Sequence, residues 1–226
     1  MNGHLNIAID GPAGAGKSTV AKAIAQKLGI RYLDTGAMYR AMALYALRCG
    51  VNADDADALA RILPDAEISV KYTAEGQRVL LGNEDVTGSI RTPEISMGAS
   101  RVSAHPCVRE KLAQMQRQVA EEYDVVMDGR DITTNVLPNA PFKFYVTASP
   151  EERARRRLNE LTKRGETTET LERVLADIEQ RDYNDTTRAY MPLRVAEDAT
   201  VVDTSEMSID QVLEFMTGRI GEKGAK

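Results

Sequence analysis

The sequence has no tryptophan, only 5% aromatic residues and no excess of positive charge. Its 226 residues carry a formal net charge of -5 at pH 7. Proteins that bind nucleic acid need a basic surface, and those that hold single strands add aromatic side chains on which the bases stack. The composition therefore argues against a nucleic-acid-binding protein, and any polyanionic ligand must be met by locally clustered arginines.

Cysteine and long apolar runs are also scarce. The two cysteines, Cys49 and Cys107, cannot form a disulfide framework, and together with the two histidines they match no zinc-ligand spacing. No apolar run approaches the roughly 20 residues that span a bilayer. Residues 1–4 lack the basic and apolar regions of a secretory leader. We expect a cytoplasmic protein with no membrane or nucleic-acid partner, and we expect a monomer.

A glycine-rich stretch near the start carries the clearest chemical signal. Residues 11–19 match the pattern G-x-x-x-x-G-K-[ST], between an apolar run at 5–9 and a helical pattern at 20–28. Glycine lets the backbone wrap closely around phosphate oxygens, and the amides at the start of the helix face the anion. Lys17 would reach the β- and γ-phosphates, and Ser18 would be a Mg²⁺ ligand. The predicted ATP-binding residues are Gly11, Pro12, Ala13, Gly14, Ala15, Gly16, Lys17, Ser18 and Thr19.

Apolar runs of strand length alternate with segments of helical periodicity along most of the chain. This alternation predicts an α/β fold with a central parallel β-sheet flanked by helices. The pattern changes at 68–86, where short strands around a Glu75-Gly76 turn predict a small β-meander, an insert that could close over a substrate. Thr35 is predicted to cap the helix after the second strand, and a last helix is predicted over 209–220.

A second informative stretch, Asp128-Gly129-Arg130-Asp131, follows the apolar run at 123–127. A carboxylate at the carboxyl end of a strand beside the phosphate loop would orient Mg²⁺ or its waters, and an arginine two residues later could meet a phosphate. Asp-Gly is also an ordinary turn, so this stretch taken alone leaves both interpretations open.

The helix predicted after Ser149 carries four arginines within five positions, 153–157. Arg153 and Arg157 share one face at a spacing of i, i+4, which fits a solvated basic helix paired with nearby glutamates. In a protein that holds two phosphate-bearing molecules together, the same helix would be a mobile lid that brings guanidinium groups onto the transferring phosphates.

Four motifs together point to one family. They are the phosphate loop, Asp34-Thr-Gly-Ala-Met-Tyr-Arg40, Asp128-Gly-Arg-Asp131, and Arg181-Asp-x-x-Asp185-x-x-Arg188-x-x-x-Pro-Leu. In this order and at these spacings they resemble the bacterial cytidylate kinases over nearly the whole chain. The resemblance implies transfer of the γ-phosphoryl group of ATP to CMP or dCMP with Mg²⁺, by in-line displacement without a dedicated general base.

The resemblance also implies the architecture of the nucleoside monophosphate kinases within a single kinase domain. Its parts would be a core (about 1–59, 105–152 and 168–226), a small NMP-binding insert (about 60–104) and a short helical lid (about 153–167).

The same resemblance implies a set of site residues. The residues expected to neutralise charge during transfer are Lys17, Arg130, Arg188, Arg153 and Arg157, and the expected metal residues are Ser18 and, through water, Asp128. The residues expected to bind CMP are Thr35, Arg40, Ser100, Arg109, Arg130, Asp131, Arg181, Asp185 and Arg188.

Cytosine presents an exocyclic amine and two acceptors. Asp131 is expected to face the amine, and Arg109 and Ser100 are expected to donate to the other edge. Arg40 is expected to clamp the α-phosphate together with Arg130.

One residue departs from the family's pattern. Thr133 stands where the family usually has glycine after Gly-Arg-Asp. A β-branched residue disfavours positive φ, so the loop can follow a different course here without changing the role of Asp131.

Other functions are weighed against this interpretation. The nearest alternative is a kinase of the same architecture with another small acceptor, such as UMP, AMP or shikimate. From a different class, a P-loop switch would carry an Asn-Lys-x-Asp guanine-reading motif, which the sequence lacks. A nucleic-acid-dependent ATPase is disfavoured by the acidic, aromatic-poor composition.

Overall fold

The computed structural model describes residues 4–163, 165 and 169–224. These form two compact units: Arg31–Val125 with His4, and Leu5–Ile30 with the described part of Val126–Lys226. The division into core, insert and lid stays a prediction, and parts of it lie outside the described residues, namely 1–3, 164, 166–168, 225 and 226.

Strands and helices alternate along most of the chain. The strands are β1 (Asn6–Asp10), β2 (Arg31–Asp34), β3 (Ile68–Thr73), β4 (Gly76–Leu81), β5 (Glu84–Asp85), β6 (Val125–Asp128), β7 (Phe142–Thr147) and β8 (Thr200–Asp203). The helices are α1 (Lys17–Leu28), α2 (Thr35–Arg48), α3 (Ala56–Ile62), α4 (Pro93–Val102), α5 (Pro106–Glu122), α6 (Pro150–Lys163), α7 (Leu171–Thr187) and α8 (Ile209–Gly224).

The second unit is built on parallel strands that lie side by side in the order β6-β1-β7-β8. The pairs β1–β7 and β7–β8 are both parallel, with Ile9 opposite Phe144 and Phe144 opposite Thr200. Strand β6 is buried along its whole length, and β1 is buried after its first residue. Continuous apolar strands of this kind are typical of a parallel sheet that is covered on both faces. The predicted α/β fold with a mostly parallel central sheet is confirmed.

The first unit contains the antiparallel sheet β3-β4-β5. Strands β3 and β4 pair from Ile68 opposite Leu81 to Thr73 opposite Gly76. The hairpin turn is therefore at 74–75, one residue before the predicted Glu75-Gly76 turn. Helix α4 packs closely on α2, because a Cβ at Gly98 would lie 3.2 Å from the Cβ of Ala43. The predicted β-meander at 68–86 is therefore present.

Two local predictions were wrong. Helix α2 is capped by Asp34 and not by Thr35, since the Asp34 carboxylate accepts a hydrogen bond from the backbone N–H of Ala37 at 2.9 Å while its own backbone is extended. Helix α8 continues to Gly224, beyond the predicted end at residue 220. Within the described residues, no helix is both long and apolar enough to cross a membrane.

Candidate active site

The phosphate loop begins with a glycine that no other residue could replace. Gly11 has φ 148°, and a Cβ on it would lie 1.9 Å from the carbonyl oxygen of Val146 in β7. Gly16, with φ 83°, occupies the N-cap of α1 and supplies no capping side chain. The N-terminal amides of α1 are thus presented to the loop, which is the arrangement that binds phosphate at a helix N-terminus.

Lys17 is buried in this loop. Its side chain donates a hydrogen bond to the carbonyl oxygen of Pro12 at 2.6 Å, and the residue is 5% exposed. Burial and, after it, the positive charge of Arg130 lower the pKa of Lys17 to about 7, against the opposite effect of nearby carboxylates that include Asp128. A further negative charge beside this ammonium group, such as that of a nucleotide phosphate, would favour the protonated form of Lys17.

Ser18, the residue after Lys17, and Asp128 bring together two side-chain oxygens that can coordinate a metal ion. The Ser18 hydroxyl donates to the carboxylate of Asp128 at 2.7 Å, and Asp128 is 5% exposed at the carboxyl end of β6. The sequence interpretation of Asp128 as a carboxylate brought to the phosphate loop, and not merely a turn residue, agrees with this geometry. A hydroxyl and a carboxylate are the hard oxygen ligands that suit Mg²⁺.

Beyond Asp128, four charged side chains form what we call the arginine–aspartate cluster: Arg130, Asp131, Asp185 and Arg188. Asp185 accepts from Arg130 Nε at 2.8 Å through one carboxylate oxygen and from Arg188 Nη1 at 3.3 Å through the other. Arg188 also lies 3.6 Å from the carboxylate of Asp131. The loop after β6 and the end of α7 supply these residues, so two predicted motifs that are about 50 residues apart in sequence meet here.

Arg130 and Asp185 of this cluster stabilise each other's charged form, although their side chains are only 22% and 13% exposed. Burial would raise the pKa of Asp185, but the positive charges of Arg130 and Arg188 outweigh it and keep the pKa below its usual value. The pKa of Arg130 is raised in turn: burial lowers it, but the nearby carboxylates, Asp185 first among them, together outweigh burial. Two guanidinium groups fixed by carboxylates are suited to binding an anion.

The arginines of the predicted lid have different surroundings. Arg153 is 4% exposed and bonded to the phosphate loop and α7. Arg157 pairs with Glu160 at 2.8 Å on a more exposed face of α6. Arg156 donates to the backbone and hydroxyl oxygens of Thr204. The predicted catalytic roles of Arg153 and Arg157 stay predictions, but their different burial shows that the two arginines do not share one environment.

In the first unit, Arg40 is held by the residue that caps its own helix. Arg40 Nη2 donates to Asp34 at 2.8 Å, while the other oxygen of Asp34 caps α2. Gln77 of β4 accepts from the backbone N–H of Asp34 at 2.6 Å. The end of β2 is therefore fixed from two directions, and Arg40 is oriented one turn into α2.

The remaining residues predicted to bind CMP in this unit also lie on helices. Arg109 is 1% exposed; it donates to the carbonyl oxygen of Ser103 at 3.1 Å, and its guanidinium carbon lies 5.5 Å from the ring centre of Tyr39. Thr35 is 2% exposed at the start of α2, and Ser100 is half-buried on α4. Arg181 lies exposed on α7 in the second unit.

Sequence reasoning missed the residues that hold the site in place. Asp10, the last residue of β1, accepts hydrogen bonds from Ile132 and Thr133, and Asp182 accepts one from the backbone N–H of Ala13 in the phosphate loop. Asp34 supports Arg40 in the same way. The available signal for Asp10 was an apolar strand pattern that ends in aspartate directly before Gly11. Asp182 stands in the motif at 181–188, but the motif did not indicate its contact with the phosphate loop.

The strand, phosphate loop and helix, together with the buried Lys17 and the Ser18–Asp128 pair, define a P-loop nucleotide-binding protein with the α/β fold of the P-loop kinases. A solved structure of an uncharacterised protein from Eubacterium ventriosum shares this fold, with a TM-score of 0.52 and 11% sequence identity over 96% of this chain and 99% of that chain.

The family model for cytidylate kinase matches residues 7–222, and the chain belongs to the cytidylate kinase family. A cytidylate kinase from Desulforamulus reducens is 53% identical over 94% of this chain and 95% of its own length. Another from Pelotomaculum thermopropionicum is 49% identical over 97% of each chain. The predicted resemblance to this kinase family is confirmed.

Proposed function

We propose that the protein transfers the γ-phosphoryl group of ATP to CMP or dCMP and so forms CDP or dCDP. The observation that carries this proposal is that the phosphate loop and the arginine–aspartate cluster belong to one unit, close enough for Arg130 and Asp185 to act on the charge of Lys17. A phosphate loop alone serves many nucleotide-binding proteins, whereas fixed arginines beside it suit a second phosphate-bearing substrate. Membership of the cytidylate kinase family supports CMP as that substrate.

The donor set next to the loop fits Mg²⁺. Mg²⁺ is bound through one or two carboxylates, waters and substrate phosphates, and Ser18 and Asp128 supply a hydroxyl and a carboxylate 2.7 Å apart. Ser18 would bind the ion directly and Asp128 through water. When bound, the ion supplies positive charge to the β- and γ-phosphates.

The protein's own task is to hold two anions in line. The second pKa of a phosphate monoester is about 6, so the attacking oxygen of CMP is already largely ionised and no side chain needs to take a proton from it. Lys17 holds the β- and γ-phosphates, and Arg130 and Arg188 neutralise charge on the acceptor side. Arg40 of the first unit binds the α-phosphate of CMP, and Arg157 contacts the transferring group when the lid excludes water.

Base selection follows from hydrogen-bond polarity. The Asp131 carboxylate accepts from the exocyclic amine of cytosine, and Arg109 and Ser100 donate to its acceptor edge. Uracil has an acceptor where cytosine has that amine, so it would face a carboxylate without a donor. Mismatches of this kind reduce turnover far more than the loss of an apolar contact does.

Thr35, Arg181 and Asp185 complete the proposed CMP site, the last two near the ribose. The family also supports the cytoplasm as the location, and the expectation of a monomer without a nucleic-acid or membrane partner belongs to the same proposal.

The proposal is tested by measuring ADP formation with Mg²⁺ and a panel of acceptors: CMP, dCMP, UMP, AMP and shikimate. We expect ADP only with CMP and dCMP at comparable concentrations. Equal turnover of UMP would contradict the cytosine assignment, and ADP formation indifferent to every acceptor would contradict a kinase of small molecules.

A further inference from the structure

The peptide group of Ala13, in the middle of the phosphate loop, is bound on both sides by side chains of α6 and α7. Its N–H donates to the carboxylate of Asp182 at 3.1 Å. Its carbonyl oxygen accepts from Arg153 Nη1 at 3.0 Å. Arg153 and Asp182 also pair directly with each other. The three groups form a closed hydrogen-bonded ring, which we call the Ala13 clamp.

The arginine of the clamp is buried and is fixed at a further point, whereas the aspartate is half-buried. Arg153 is 4% exposed, and its Nε donates to the carbonyl oxygen of Ala148 at 2.9 Å, just after β7. The carboxylate side chain of Asp182 is 19% exposed. A buried carboxylate–guanidinium pair leaves an uncompensated charge when one partner is removed, so the two side chains depend on each other.

The loop packs directly on the helices that carry the clamp. A Cβ at Gly14 would lie 3.2 Å from the Cβ of Arg153 and 3.4 Å from Ile178 Cδ1. Helices α6 and α7 share an apolar core of their own, formed by Ala154, Leu161, Val174 and Ile178. The loop therefore rests on a packed helical hairpin and not on a solvated surface.

Helix α7 presents two carboxylates one turn apart to two different partners. Asp182 meets Arg153 and the phosphate loop, whereas Asp185 meets Arg130 of the arginine–aspartate cluster. The hydrogen bonds of the two carboxylates are separate, because in the described residues Asp182 does not bond to Arg130 and Asp185 does not bond to Ala13. The charge of Asp182 also acts on Arg130, but less than that of Asp185 does. A substitution at Asp182 should therefore affect ATP binding more than CMP binding.

We propose that Arg153 and Asp182 are positioning residues, which fix the Ala13 peptide so that the phosphate loop is already arranged for the phosphates of ATP. Arg153 acts through the loop and does not itself contact the transferring phosphate. The inference rests on the proposed function in one respect, that ATP is the nucleotide which the loop binds. A preformed loop binds its anion more tightly than a loop that must be ordered on binding, because the cost of ordering has already been met in folding.

The test is calorimetric measurement of ATP binding, with Mg²⁺ present, combined with separate values of kcat and of KM for ATP and CMP. We expect Asp182→Ala to raise the Kd for ATP about tenfold, the scale of a lost hydrogen bond to a charged group, with KM for CMP within about twofold of the wild-type value. Asp182→Asn keeps an acceptor for the Ala13 N–H, and we expect it to recover part of the ATP affinity.

An alternative in which Arg153 contacts ATP directly predicts that the Kd for ATP does not rise in Asp182→Ala. If Arg153 binds the phosphates of ATP and Asp182 only holds it away from them, Asp182→Ala will leave the Kd for ATP unchanged or lower it, and the inference is overturned. If Asp182→Ala fails to fold, Asp182→Asn decides the matter by the same criterion. Combining Arg153→Met with Asp182→Asn should raise the Kd for ATP little more than either change alone, since both act on one peptide group; additive effects would contradict the clamp.

The chain offers a matched control in the same unit. Lys143 is 8% exposed and binds both carboxylate oxygens of Asp198; it lies opposite Ala8 of β1 and, within the described residues, its side chain forms no hydrogen bond with the phosphate loop. Asp198→Asn should lower the Tm without changing the Kd for ATP, which separates the clamp from general loss of stability. ATP binding is measured directly, so the two proposals can be judged separately. An unchanged Kd for ATP would contradict the role of the clamp even if CMP is phosphorylated. A raised Kd would support that role even if another acceptor proves to be the substrate.

Discussion

Thr133 donates two hydrogen bonds to one carboxylate oxygen of Asp10, from its backbone N–H at 2.7 Å and from its hydroxyl at 2.6 Å. Ile132 donates to the other oxygen at 2.9 Å. Asp10 is fully buried at the end of β1, directly before the phosphate loop. The Thr133 side chain therefore joins the end of β1, directly before the phosphate loop, to the loop that carries Arg130 and Asp131.

Removing the Thr133 hydroxyl should destabilise the protein. Thr133→Val keeps the shape of the side chain but deletes one of three donors to a buried carboxylate, and hydrogen bonds to charged groups contribute about 1.5–3 kcal/mol. We expect the free energy of unfolding, measured by urea denaturation at pH 7, to fall by about 2 kcal/mol. Thr133→Ser keeps the hydroxyl and should remain much closer to the wild type. Equal stability of the Val variant would show that this hydrogen bond is dispensable.

Asp10 should also give the stability a specific pH dependence. Burial raises the pKa of Asp10 from 3.8 to about 6, against the opposite effect of the hydrogen bonds from Thr133 and Ile132. The folded protein then holds the proton more tightly than the unfolded chain, so the stabilisation is complete below pH 3.8 and is lost as the pH rises to about 6.

The comparison with Asp10→Asn isolates this effect, because the amide does not titrate. Between about pH 4 and pH 6, the wild type should lose on the order of 2 kcal/mol relative to the variant. This is about two-thirds of the roughly 3 kcal/mol that the full shift represents at about 1.4 kcal/mol per pKa unit. Urea denaturation at a series of pH values measures the difference. A difference that is constant over this range, or that changes in the wild type's favour, would contradict the raised pKa.

The local elements were predictable because their signals lie within a few residues. Gly29, the residue that follows the helical pattern predicted at 20–28, has φ 67° and ends α1. At the start of α6, Ser149 Oγ accepts a hydrogen bond from the backbone N–H of Glu152. Asp34 and Thr35 are adjacent, and either side chain could cap the helix. Asp34 is the cap because its backbone is extended, and this conformation could not be predicted from the sequence.

The groups that support the site were beyond such reasoning. Asp10 lies 123 positions from Thr133, and Ala13 lies 169 positions from Asp182. Asp182 belongs to the motif at 181–188, but an aspartate within a helical pattern is most often a surface residue, so its contact with Ala13 could not be predicted from the sequence. The residues predicted from family motifs, such as Arg130, Asp185 and Arg188, do come together, because those motifs already encode the long-range contact.

Asp131 is predicted to select the base. Asp131→Asn replaces one acceptor oxygen with an amide NH2 group. This group is a donor, so it repels the exocyclic amine of cytosine but can donate to the oxygen that uracil has at the same position. We expect kcat/KM for CMP to fall by about 100-fold or more and the ratio of CMP to UMP turnover to narrow. The two acceptors are compared in parallel at saturating ATP. An unchanged ratio would show that Asp131 does not read this position.

Lys17 is predicted to be essential for transfer but not for folding. In Lys17→Met the buried ammonium, whose pKa is lowered to about 7 by burial, is replaced by an apolar side chain of similar length. We expect an unchanged or higher Tm and a loss of kcat of at least about 100-fold, the scale of removing one preorganised charge-stabilising group. Lys22→Met, at an exposed position of the same helix, is the matched control and should leave kcat unchanged. Substantial activity in Lys17→Met would mean that the phosphate loop has another role.

The most direct test follows the γ-phosphoryl group itself. ATP labelled at its γ-phosphate is incubated with the protein, Mg²⁺ and CMP, and the nucleotides are separated. The account predicts that the label appears in the β-phosphate of CDP, in an amount equal to the ADP formed, and that UMP under the same conditions takes up little of it. Label released as inorganic phosphate, at a rate independent of CMP, would contradict it.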